Sequence, residues 1–117
     1  MAGTTINDHY SIGMINSQIF LKVTITNTQI SRSTVRLNKQ LVGEYNDSFE
    51  ILLGNANDLL GSLLYVVTTE SDIDPDCDST SFSLELSGGP NPYINSRHQT
   101  VSRGGYTLYN AEIILIP

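Results

Sequence analysis

The chain has 117 residues, about one domain's worth, of which 39% are hydrophobic and 15% charged, and it carries a formal charge of −6. No apolar run approaches the ~18–20 residues of a membrane-spanning helix, and the single cysteine, Cys77, excludes an internal disulfide framework. With Lys22 and Lys39 as its only lysines and one sparse basic stretch at Arg97, His98 and Arg103, it lacks the electrostatic footprint of a nucleic-acid binder.

Alanine occurs only at Ala2, Ala56 and Ala111, and lysine and glutamate are scarce, so the residues that fill helix surfaces are nearly missing. Serine, threonine and asparagine supply 34 residues instead, on short segments rich in branched aliphatics that suit pleated strands. The composition predicts an all-β chain. The amino terminus has neither a basic nor an apolar leader region, which points to the cytoplasm; a secreted chain whose signal peptide had been removed would read the same way.

The first predicted strand is His9–Ile15, with Tyr10, Ile12 and Met14 in phase. Strict alternation follows over Ile19–Thr26, where Ile19, Leu21, Val23 and Ile25 share one face and Lys22, Thr24 and Thr26 the other. Thr34–Val42 alternates through Val35, Leu37 and Leu41, and Ser48–Leu53 through Phe49, Ile51 and Leu53. Turn chemistry surrounds these runs at Gly43, Asn46-Asp47 and Gly54–Asp58, and Asp58-Leu59-Leu60 allows one helical turn. Leu63–Val67 is apolar on both faces, as is Glu112–Ile116 at the far end; both read as central strands covered above and below. Ser81–Ser87 alternates as cleanly as 19–26.

About seven strands in 1–117 predict a single antiparallel β-sandwich domain, with a small β-barrel as the alternative closure. The expected core is Ile19, Leu21, Val23, Ile25, Val35, Leu37, Phe49, Ile51, Tyr65, Val67, Phe82, Leu84, Leu86, Ile113 and Leu115.

Two segments bear on chemistry. In Asp72-Ile73-Asp74-Pro75-Asp76-Cys77-Asp78, aspartates at every second position follow the opening of an EF-hand loop and make Asp72, Asp74, Asp76 and Asp78 the calcium candidates. The sixth position is Cys77 instead of glycine, and the twelfth is Ser83 instead of a bidentate glutamate. In an extended run, side chains two apart are separated by about 6.6–6.8 Å. Oxygens on one calcium lie within about 5.2 Å of each other, so only a curled loop could chelate. A solvated acidic loop is the competing reading. Flanking carboxylates also disfavour the Cys77 thiolate, which argues against a redox or nucleophilic role.

The second segment, Gly88–Gly105, is the longest irregular stretch and reads as a crossover between two sheets, with Gln99-Thr100-Val101 as a short edge strand. Asn91, Tyr93, Asn95, Arg97 and His98 within it are the candidate ligand-binding residues for a glycan or small molecule: amide forks, an aromatic face and cationic donors. There is no Gly-x-Ser-x-Gly elbow, phosphate-binding loop, dinucleotide fingerprint or His-Glu-x-x-His pair, so no catalytic residue is assigned. The sequence therefore predicts a non-catalytic module that binds a protein partner or self-associates, without cofactor, nucleic acid or membrane. A loop-borne calcium or glycan binder is the alternative, and a hydrolase using His98 the third reading.

Overall fold

In a computed structural model, which describes residues 2–13, 16–25, 30–71, 79–100 and 105–117, the alternating segments form nine strands and one helical turn. They are β1 (Ala2–Ser11), β2 (Gln18–Thr24), β3 (Ile30–Leu37), β4 (Gln40–Asn46), β5 (Phe49–Asn55), α1 (Ala56–Leu59), β6 (Leu63–Ser71), β7 (Ser79–Ser87), β8 (Tyr93–Thr100) and β9 (Tyr106–Ile116). A five-stranded sheet in the order β1-β9-β6-β3-β4 faces a four-stranded sheet in the order β5-β2-β7-β8. The two remain separate layers, so the fold is a β-sandwich and the barrel alternative falls. All pairings are antiparallel except β1 with β9, which run parallel. Among the described residues no helix is long and apolar enough to cross a membrane.

The core lies between the sheets, where alternation puts it. Ile19, Leu21 and Val23 of β2 and Phe82, Leu84 and Leu86 of β7 oppose Val35, Leu64, Val66, Ile113 and Leu115 of the other sheet, all buried. Leu37, Phe49 and Ile51 are half-buried against this cluster. Tyr65 and Val67 do not belong to it: on β6 the inward register is Leu64, Val66, Thr68 and Glu70. A run apolar on both faces carries no signal for its phase, and Glu70, a carboxylate on the inward face, runs against the usual cue.

Two expected elements divide or move. The run 34–42 is two strands joined by a tight hairpin in which Asn38 and Lys39 both take positive φ, 51° and 73°, as a two-residue turn of the primed type requires. Asn38 anchors that turn: its Oδ1 accepts the Leu63 N–H at 2.9 Å and its Nδ2 donates to Ser62 Oγ at 3.2 Å. The stretch read as a crossover holds β8, an edge strand paired with β7 in the same sheet. The loop between them is forced to be glycine at Gly88, whose φ is +104° and where a Cβ would run into the carbonyl of Gln18.

Candidate functional site

β8 arranges the predicted ligand-binding residues by parity. Tyr93 and Asn95 lie opposite Leu86 and Leu84, and Arg97 opposite Phe82, so these three share the inward register; His98 lies opposite Ser81 on the outer face. Asn91 precedes the strand, and its carbonyl accepts the Tyr10 O–H at 2.7 Å. Tyr93 O–H donates to Asp8 Oδ2 at 2.9 Å and accepts from Asn95 Nδ2 at 3.1 Å. Gln99 Nε2 donates to Thr4 Oγ1 further along the same seam. These polar groups fasten β8 to β1, the facing edge strands of the two sheets. The backbone N–H of His9 and the Tyr93 hydroxyl both donate to Asp8 and hold its carboxyl below the usual carboxylate range. Burial pushes the Tyr93 phenol up.

The calcium candidates Asp72, Asp74, Asp76 and Asp78 lie outside the described residues, as does Cys77. Among the described residues no three His, Cys, Asp or Glu side chains come together as a metal-binding group.

The sandwich interior has a polar end. Ser31, Glu70 and Thr107 stand in one row across β3, β6 and β9, and Ser33, Thr68 and Tyr109 in the next. Ser33 and Thr68 share a hydrogen bond of 2.7 Å between their hydroxyls. Thr80 Oγ1, from the opposite sheet, meets Thr107 Oγ1 and Tyr109 Oη, each at 2.8 Å. Phe82 stacks on the Tyr109 ring with centroids 5.1 Å apart. Glu70 is fully buried, and among the described residues neither carboxyl oxygen has a hydrogen-bond partner of good geometry. Burial pushes its pKa up to about 8, and the backbone N–H of Ser81, which favours the charged form, offsets only part of this.

The two outer faces differ. On the four-stranded sheet, Lys22 stands in register between Glu50 and Glu85, a charged row that belongs in water. It belongs to a central strand of that sheet. On the five-stranded sheet the outward residues of β6 are Leu63, Tyr65, Val67, Thr69 and Ser71, every one half-buried. Around them stand Leu108 and the exposed Ile114, Tyr106, Ile30 and Leu41, the last four each between 48% and 61% accessible. A shallow groove of about 300 Å³ runs over this face between Arg36, Lys39, Leu63, Tyr65 and Glu112. A second, of about 330 Å³, lies between β3 and β6 over Val67. A sheet face with this many large apolar side chains, rimmed by charge, is the feature that marks an interaction surface.

Comparison with protein-family models, with curated proteins and with solved structures finds no match for this chain. The sequence carried the signal for the apolar face in the double-sided runs 63–67 and 112–116, which require cover on both sides. The sandwich covers one side.

Proposed function

We propose that the chain is a non-catalytic assembly module that binds a second copy of itself through the outer face of the five-stranded sheet. The observation that carries this reading is the Leu63–Val67 part of β6, apolar on both faces in the manner of a fully covered strand, with its outer side left open by the fold. Size supports it. Five strands spaced about 4.8 Å and nine residues rising about 3.3 Å each span roughly 24 by 30 Å, a footprint of about 700 Å². Stable interfaces of standard size bury about 800 Å² per partner.

Charge supports it too. Glu70, the one acidic residue of β6, faces inward and adds no charge to this face. The outer face itself presents Arg32, Arg36 and Lys39 against Glu44 and Glu112, so an approaching copy meets a nearly balanced surface despite the net charge of −6. Light scattering on a size-exclusion column, run over a concentration series, tests the reading. The wild-type chain is expected to dimerise with increasing concentration, and Tyr65→Lys to stay monomeric with an unchanged far-ultraviolet circular dichroism spectrum. A wild-type chain that remains monomeric throughout, or a folded Tyr65→Lys that dimerises as well as the parent, overturns it.

A further inference from the structure

Across the outer face, Arg36 on β3, Tyr65 on β6 and Glu112 on β9 form a single row in register. β3 and β9 flank β6, so the two charges stand either side of the tyrosine, their backbones about 10 Å apart. Among the described residues Arg32 pairs with Glu44 at 3.2 Å, whereas Arg36 and Glu112 have no ion-pair partner. They are also the charges that line the groove over Tyr65, together with Lys39.

We infer that the dimer has its two-fold axis in the plane of the interface and along β6, so that Arg36 of each copy meets Glu112 of the other and the two Tyr65 rings meet at the centre. This rests on the self-association proposed above and adds the orientation of the partner. Of the two-fold axes lying in the plane of the interface, two keep the strands of the paired sheets aligned, the usual way in which sheets stack. Rotation about an axis along β6 exchanges the flanking strands and sets β3 over the second copy's β9. The row then becomes two opposite-charge contacts around an aromatic centre. Rotation about an axis across the strands sets β3 over β3 and β9 over β9, which stacks Arg36 on Arg36 and Glu112 on Glu112 as the interface dries. Like charges facing each other across an interface oppose association, so the first arrangement is the one this row selects.

Charge reversal separates orientation from association. Arg36→Glu alone and Glu112→Arg alone are each expected to raise the dimer dissociation constant about tenfold or more, because each turns both attractive contacts into repulsive ones. The double variant, Arg36→Glu with Glu112→Arg, restores both pairs and is expected to return to within a few-fold of wild type. Net charge alone would make the two single variants move in opposite directions, since one makes the chain more acidic and the other less. If wild type dimerises and Tyr65→Lys does not, while the single reversals leave the dissociation constant unchanged or the double variant fails to recover, the orientation is overturned and the self-association reading stands. If wild type never dimerises, both fall.

Discussion

Leu37, Leu64 and Ile113 lie side by side on β3, β6 and β9 at one end of the interior; four residues along the same strands the corresponding positions are Ser33, Thr68 and Tyr109, and two further on Ser31, Glu70 and Thr107. The sheet holds an inward-facing carboxylate near each end. Asp8 stands on edge strand β1 in the row of Leu64 and Ile113, with its side chain 38% accessible. Glu70 stands on central strand β6 in the polar row and is 0% accessible. The first accepts hydrogen bonds from the His9 N–H and Tyr93 O–H and is held below the ordinary carboxylate range; the second is desolvated and pushed up to about 8. Position across the sheet, edge or centre, decides whether an inward carboxylate is stabilised as an anion or kept as an acid. At the apolar end the polar groups sit at the rim, where water and β8 satisfy them. At the other end they are sealed inside.

The largest effect that tests this contrast belongs to the apolar end. Leu64→Ala removes a fully buried side chain from the middle of the five-stranded sheet and is expected to cost about 2–5 kcal/mol of unfolding free energy in urea titration. A cost well under 1 kcal/mol would mean that this end is not close-packed. Next comes Glu70. The unfolded chain loses its proton near pH 4.5, whereas the folded chain holds it to about pH 8. Between those values the native state binds more protons than the unfolded one, so this group makes stability fall as pH rises, with a slope approaching about 1.4 kcal/mol per pH unit that levels off above the folded value. Glu70→Gln is uncharged in both states and should remove that slope, leaving the variant progressively more stable than wild type from pH 5 to pH 9. Thermal denaturation at a series of pH values decides it, and parallel curves for the two proteins would show that Glu70 ionises freely in the folded state.

What the sequence makes legible follows the same division between centre and edge. β2 and β7 are central strands with one face buried and one wet, so their alternation is complete and both were readable residue by residue. β6 is central and apolar on both faces over Leu63–Val67, which makes its existence plain and its phase ambiguous, and Glu70, a carboxylate on the inward face, runs against the usual cue to phase. β8 is an edge strand whose inward face points at the polar seam with β1, so Asn95, Ser96, Arg97 and His98 read as loop. The hairpin at Asn38-Lys39 has no sequence signature because its second residue is a lysine in a conformation that usually announces itself with glycine. The candidate face was visible only as a double-sided apolar pattern, since the sequence does not say which of two apolar faces the fold will leave open.

The smallest expected effect lies in the seam. Tyr93→Phe deletes the hydroxyl that joins Asp8 to Asn95 without changing the ring, which lies 6.1 Å from that of Tyr10. Because Asp8 and Asn95 keep some access to water, the groups left behind are rehydrated, and the loss at neutral pH should be about 0.5–1.5 kcal/mol, below that of Leu64→Ala. The acid limb carries the sharper signature. A carboxyl whose folded pKa lies below 3.8 contributes stability that is present above that value and is lost as pH falls through the folded one. Removing the Tyr93 donor brings the folded value closer to 3.8, so the acid loss of stability should shrink. It should not vanish, because the His9 N–H, 2.8 Å from Oδ1, is the larger contributor and is untouched. Urea titrations of both proteins between pH 2 and pH 7 measure the difference. An unchanged acid limb would detach Asp8 from β8, and a loss as large as that of Leu64→Ala would place the seam in the core and erase the distinction between rim and interior at this end.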